Sequence, residues 1–396
     1  MHTPTSSRRA ATRTLAAIGA AGVLAVTAGC GSSDEKSSST TPEAGSTGST
    51  DSTQLVSDCQ TRIDKAKEPL TFKAPGPPLD ASKLRGKKVM FVSLAQAVPA
   101  IAQDAKATQD AGKTVGIDVS VFDTKGDVRL MQQALAQAVA QKFDAIIILG
   151  IPLKVTAAAL AKAKAAGIPI VSELNNEPDA DKPGQGGGES VFGTTGPPRF
   201  GTGQLLACKA IVDTEAKANV VIFGAKDLEP SQDEVNGMRD ILEKCSECEV
   251  SENSTPTADW QTKLPGLAAS EVRRNPKANY FLPLYDGQSI FVTSGVQQAG
   301  GAGKVKVVGF NATPAALKLI QTGKILTADP GQANSLMAWQ GLDQAMRGML
   351  KMEPGNPAVP VRFFDKENLK GVDVNDEDAL FGGEYRDEFQ KLWGVK

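Results

Sequence analysis

Residues 144–149 read Asp144-Ala145-Ile146-Ile147-Ile148-Leu149, with five apolar side chains in succession. In a strand, neighbouring side chains point to opposite faces, so an unbroken apolar run is covered on both. That is the mark of a central strand in a parallel sheet. A parallel neighbour needs a crossover connection, usually a helix. The chain supplies one on each side. Downstream, the Ala-rich stretch 155–166 reads as a helix stopped by Gly167, and Ile168-Pro169-Ile170-Val171-Ser172 as the next strand. Upstream, Val128, Met131, Leu135 and Val139 fall on one face of an amphipathic helix. Before it come a strand near 117–122, a helix at 101–112 and an opening strand from Lys88 to Leu94.

The pattern breaks at 176–189, where Pro178, Pro183, Gly184 and the run Gly186-Gly187-Gly188 read as an exposed loop. It then resumes. Helices are expected near 199–214, 232–244, 262–274, 288–299, 314–321 and 335–351, with strands near 219–224, 249–252, 280–284, 305–310 and 325–328. Such alternation implies parallel sheets with right-handed crossovers. Four strands, a break and five more are too many for one comfortable sheet. The expected architecture is α/β, with two doubly wound parallel-sheet lobes.

The N-terminus carries an address. Arg8, Arg9 and Arg13 precede an apolar stretch that ends in Val26-Thr27-Ala28-Gly29-Cys30. A basic head, an apolar middle and small residues at a cut form a secretory signal. The stretch 15–28 is too short and too rich in Ala and Gly to span a membrane. A cysteine directly after Ala-Gly resembles the lipobox of bacterial lipoproteins, in which the thiol is lipidated and becomes the mature N-terminus. The plainer reading is a signal peptide with an incidental cysteine. Residues 31–53 hold no aliphatic or aromatic side chain beyond Ala44, so they are expected to form a disordered tether. The chain thus divides into a signal at 1–29, then the lipid anchor, tether and N-terminal arm at 30–85. The expected location is extracytoplasmic, lipid-anchored to the outer face of the cell membrane.

Composition narrows the chemistry. The 396 residues contain 43 Lys+Arg and 45 Asp+Glu, and loss of 1–29 leaves 40 against 45. No basic stripe suggests a nucleic-acid partner. The single histidine is His2, which leaves with the signal. Ser-His-Asp and Cys-His catalysis and His-ligated metal are therefore excluded. No carboxylate pair identifies itself as an acid/base couple. Neither an enzyme, a cofactor nor a metal is expected.

Cys59, Cys208, Cys245 and Cys248 remain after Cys30. In an oxidising compartment they are expected as disulfides, with three possible connectivities. Cys245-Ser246-Glu247-Cys248 follows the helical face Val235, Met238, Ile241, Leu242, so it ends a helix. Redox Cys-x-x-Cys motifs open helices, where the N-terminus lowers a thiol pKa. A structural Cys245–Cys248 pair is favoured, leaving Cys59 with Cys208.

Several short runs, in order, carry a resemblance. They are the opening strand with its Pro99 turn, Ala166-Gly167-Ile168-Pro169-Ile170, Thr257-Ala258-Asp259-Trp260, and Asn275-Pro276 before a strand ending Tyr285-Asp286. Val308-Gly309-Phe310-Asn311-Ala312-Thr313-Pro314, Gly331-Gln332 and the tail from Gly382 to Gly394 complete the set. Over 86–396 the chain resembles the periplasmic sugar-binding proteins of the ribose-binding type, the solute receptors of ABC importers. The resemblance implies the type I periplasmic binding protein fold, with two lobes joined by a hinge of three crossings. It assigns 86–191 plus 332–357 to lobe 1 and 192–331 plus 358–396 to lobe 2. It implies a monomer that captures a neutral sugar-like or polyol molecule and delivers it to an ABC transporter permease. The alternative on the same fold is a ligand-sensing receptor that signals to a membrane partner.

The cleft of such a fold lies at the carboxyl ends of the strands. Candidate ligand-binding residues there are Gln96, Glu173, Asn175, Gln232, Trp260, Tyr285, Asp286, Asn311 and Gln332. Amides and carboxylates pair with hydroxyls, and a flat ring covers the apolar face of a solute. Each has a plainer reading: Asn311 and Asp286 as helix caps, Trp260 as core, Glu173 as a solvated loop acid. The chain also departs from the ribose-type pattern. Two aromatics are matched by Ala100 and Ile101, two arginines by Asn175 and Gln232, and an aspartate by Asn311. The expectation is a pocket that has lost aromatic stacking and cationic donors, and so does not suit ribose itself.

Overall fold

The computed structural model describes residues 52–175, 189–228, 230–355 and 357–395. Cys30, the signal and most of the glycine-rich loop lie outside them.

The first sheet has the order β2-β1-β3-β4-β5, all parallel, from β1 (Lys88–Ser93), β2 (Asp118–Asp123), β3 (Ala145–Leu149), β4 (Ile170–Glu173) and β5 (Gly193–Thr195). The all-apolar β3 is central and completely buried, as its sequence demands. Helices α2 (Pro99–Val115), α3 (Val128–Ala140) and α4 (Leu153–Ala165) are its crossovers, and α10 (Asn334–Met349) returns to pack on β3, β4 and β5. The expected boundary at 191/192 is corrected by β5, which pairs Val171 with Gly193 and Glu173 with Thr195. The strand at 193–195 is too short to show a period, so it escaped the sequence pattern.

The second sheet has the order β11-β10-β9-β8-β6-β7. Its strands are β6 (Asn219–Gly224), β7 (Glu249–Ser254), β8 (Tyr280–Pro283), β9 (Lys306–Val308), β10 (Leu326–Gln332) and β11 (Val361–Asp365). Helices α5 (Arg199–Asp213), α6 (Ser231–Leu242), α7 (Trp260–Arg274), α8 (Asp286–Gln298) and α9 (Pro314–Thr322) connect or flank them. β11 is antiparallel to β10 and extends that strand to Gln332, four residues past the expected end. Helices α5 and α6 touch backbone to backbone. A Cβ on Gly203 would lie 1.9 Å from the Glu234 carbonyl oxygen, and one on Gly237 2.0 Å from that of Phe200.

The two ends of the chain extend this plan. Helix α1 (Ser52–Lys67) turns Leu55, Cys59 and Ile63 inward and packs on α5 and β11. The structure pairs Cys59 with Cys208 of α5, and Cys245 with Cys248 between α6 and β7. The arm then runs to β1, donating from the Leu79 and Ala81 amides to the Leu392 and Trp393 carbonyls. Residues 358–396, expected together in lobe 2, divide. β11 joins the second sheet, whereas α11 (Tyr385–Leu392) packs on α10. Trp393 stacks on Trp339 at 5.1 Å, and its indole N–H donates to Asp343 at 2.9 Å. Asp343 also holds Arg347 at 2.7 Å, and Arg347 donates to the Pro77 carbonyl at 3.0 Å. One buried ion pair thus ties the arm, α10 and the C-terminus together.

Candidate ligand-binding site

At the carboxyl ends of the second sheet, aromatic and charged groups converge. Tyr285 follows β8; its ring centroid is 6.2 Å from Trp260 and 6.4 Å from Phe310. Trp260 is the first residue of α7, and its indole N–H donates to the Thr255 carbonyl at 2.9 Å. The Tyr285 hydroxyl lies 3.4 Å from Ser231 Oγ at the start of α6. The Arg199 guanidinium, on the first residue of α5, stands 5.6 Å from the Tyr285 ring and 5.5 Å from that of Phe310. This is cation–π distance. Its Nη1 is 3.8 Å from Glu234 Oε2. Its Nη2 donates across 3.5 Å to the carbonyl of Leu174, just beyond β4 of the first sheet.

Arg199 and Glu234 are 5 % and 0 % exposed. Burial pushes the Glu234 carboxyl up to about 8, against the opposing charge of Arg199. Burial, then the neighbouring Glu234, pushes the Tyr285 phenol up to about 12. Neither Arg199 nor Glu234 was expected at the site, and Arg199 corrects the expectation of a pocket without cationic donors. The available signal was glycine spacing. Gly203 lies one turn after Arg199 and Gly237 one turn after Glu234, which marks two helices close enough to bring those side chains together.

Asn311 and Gln332 form a second group. Asn311 has φ 126° and Ala312 φ 51°, both in the region that favours glycine. Such backbone persists only where its surroundings hold it, and it collects at ligand sites. Here the Asn311 amide donates to Pro330 at 3.1 Å, the Ala312 amide to Asp329 at 3.3 Å, and the Thr313 amide to Asp286 at 2.8 Å. Thr313, not Asn311, occupies the N-cap position of α9, so the cap reading of Asn311 is corrected. Gln332 is 2 % exposed, with its Oε1 unpartnered and its Nε2 on Asn334 at 3.2 Å.

Three candidates lie elsewhere than the sequence suggested. Asp286 is the first residue of α8, 1 % exposed, with its carboxylate committed to Thr313 and Ser289. Burial raises its pKa and, with the Asp286 charge, holds that of Asp329 well above the ordinary range. Glu173 is neither a loop acid nor turned to solvent. It is fully buried, with both oxygens unpartnered, against Gly341 of α10, where a Cβ would lie 1.7 Å from its Oε1. Burial first, then the Asp104 carboxyl of α2, pushes its pKa well up. Gln232 is exposed and donates to Asn236 at 2.9 Å on α6.

At the ends of the first sheet, Asn175 is buried and donates to Ser172 Oγ at 2.7 Å. Gln96 is half-buried after β1; its amide donates to Asp123 at 3.1 Å, and its Nε2 is unpartnered. Among the described residues there is no group of three or more potential metal ligands, and no helix long and apolar enough to cross a membrane.

The arrangement offers hydrogen-bonding amides, one buried acid–guanidinium pair and stacked rings, without a nucleophile held against a base. The periplasmic binding protein domain profile matches residues 89–349. The D-allose-binding periplasmic protein of Escherichia coli is 24 % identical over 260 residues, 65 % of this chain and 81 % of that protein. The D-ribose/D-allose-binding protein of Pseudomonas aeruginosa is 26 % identical over 235 residues, 59 % and 70 % respectively. Among solved structures, an ABC transporter solute-binding protein from Actinobacillus succinogenes with bound D-allose superposes at a TM-score of 0.63 and 21 % identity, covering 72 % of this chain and 99 % of that one. One from Bacillus halodurans with bound myo-inositol gives 0.64 and 17 %, covering 74 % and 99 %. On the match over 89–349 the chain belongs to the periplasmic binding protein domain family, whose members are extracytoplasmic solute-binding proteins and not enzymes.

Proposed function

We propose that the protein is the solute receptor of an ABC importer and captures one neutral sugar or polyol between two lobes. The carrying observation is the convergence of Trp260, Tyr285 and Phe310 with hydrogen-bonding side chains at strand ends. The fold is shared with proteins described with bound D-allose, allitol and myo-inositol. Rings cover the C–H face of a sugar while amides meet its hydroxyls. Lobe 1 is built on the first sheet and lobe 2 on the second, with Gln96 and Asn175 facing the ligand from one side and Trp260, Tyr285, Asn311 and Gln332 from the other. The protein acts as a monomer, anchored by lipid on Cys30, and hands its ligand to the permease. Calorimetric titration tests the reading. Removing one buried hydrogen-bonding partner costs about 1–3 kcal/mol. Asn311→Ala and Gln332→Ala should therefore weaken binding roughly fivefold to a hundredfold, and Trp260→Ala should weaken it through lost ring contact. Parent-like affinity in all three variants contradicts the reading.

A further inference from the structure

We infer that Arg199 and Glu234 hold one hydroxyl of the ligand between them. The inference rests on the solute-receptor reading and names a recognition element within it.

The pair is buried without being bonded. Nη1 of Arg199 and Oε2 of Glu234 are 3.8 Å apart, beyond hydrogen-bond distance. Arg199 Nη1 and both Glu234 oxygens are buried with no partner. Nearly all buried polar groups in folded proteins are satisfied; the Tyr285 hydroxyl faces Glu234 without closing an ordinary hydrogen bond, and Arg199 Nη1 still lacks an acceptor. An oxygen about 2.8 Å from both Nη1 and Oε2 closes a triangle on the 3.8 Å base at ordinary hydrogen-bond lengths. That oxygen must accept from a guanidinium and donate to a carboxylate. A hydroxyl does both. An ammonium is repelled by Arg199.

The surroundings place this gap at the ligand's position. The guanidinium stands over both the Tyr285 and Phe310 rings, 5.6 and 5.5 Å from their centroids. Its other nitrogen reaches the Leu174 carbonyl, so the pair sits where strand ends of both sheets meet. The contact of α5 and α6 at Gly203 and Gly237 sets the two side chains at their spacing. The arginines of ribose-type receptors are matched here by Asn175 and Gln232, and this cation comes from a different element, the first residue of α5.

A water molecule has the same chemistry, and the test separates the two sources. D-allose, D-ribose, myo-inositol and glycerol are titrated calorimetrically into the parent, Arg199→Met, Glu234→Gln and the double variant. Melting temperatures report folding independently. The expected result is at least a tenfold loss of affinity in each single variant for the solute that the parent binds. Monodeoxy analogues of that solute supply the specific readout. One of them binds the parent at least tenfold more weakly than the full solute, and the double variant no longer distinguishes the two. If the parent binds and the variants bind within twofold of it, the gap holds water and the inference falls alone. The same holds if affinity drops but every deoxy analogue is still discriminated. If the folded parent binds none of the four solutes, the receptor reading fails, and the inference with it.

Discussion

Asp104 and Glu173 show how much one side chain's direction matters. Both are fully buried between α2, β4 and α10, and burial raises both pKa values well above the usual carboxylate range. The unfolded chain releases these protons near pH ~4. The folded chain keeps at least one proton to higher pH, so it binds more protons than the unfolded chain, and stability falls as pH rises above that range. Glu173→Gln removes one acid from the pair. It is expected to raise the melting temperature at pH 7 and to flatten its decline from pH 4.5 upward in scanning calorimetry. A variant that melts below the parent at pH 7, with the parent's pH slope, contradicts this account. Half of the arrangement was legible. Asp104 lies on the inward face of α2 with Ile101, Ala105 and Thr108, a polar residue on an apolar stripe. Glu173 was not, because side-chain parity in a strand depends on register. Leu174 at φ 65° ends β4 there and leaves Glu173 pointing to Gly341.

Among the elements, the alternating apolar runs disclosed every strand of both sheets except β5 and β11. The first is three residues long. The second is a lone antiparallel strand that no helical crossover announces. Helix α1 was hidden in the N-terminal arm, for which no element was expected, although Leu55, Cys59 and Ile63 repeat at four-residue spacing. Its attachment carries a prediction. The Cys59–Cys208 bond spans 149 residues, and a bond closing so long a loop is worth about 2–5 kcal/mol by its constraint on the unfolded chain. Cys208→Ser should lower the urea midpoint accordingly. Cys245→Ser, which opens a separation of three, should cost less. Equal losses from the two variants, measured by urea unfolding under oxidising conditions, would contradict the assignment of α1 as a covalently held part of the fold.

For the whole molecule, the order of elements announced two α/β lobes, and the two sheets bear this out except at β5 and β11. Loss of 1–29 and addition of diacylglycerol at Cys30 are expected in the intact mass of membrane-extracted protein. A soluble product with a free Cys30 thiol would count against the anchor. The chemistry of the cleft was less legible, since Arg199, Glu234 and Phe310 come together only when helices pack through Gly203 and Gly237. The central claim is capture of one neutral hydroxyl-bearing molecule per chain. Native mass spectrometry of the purified mature protein, with release and accurate mass of whatever it carries, tests this directly. The account predicts one adduct per chain, composed of carbon, hydrogen and oxygen and rich in hydroxyls. A phosphate-bearing, carboxylate-bearing or cationic adduct, or a chain that neither carries nor takes up D-allose, D-ribose, myo-inositol or glycerol, would contradict it.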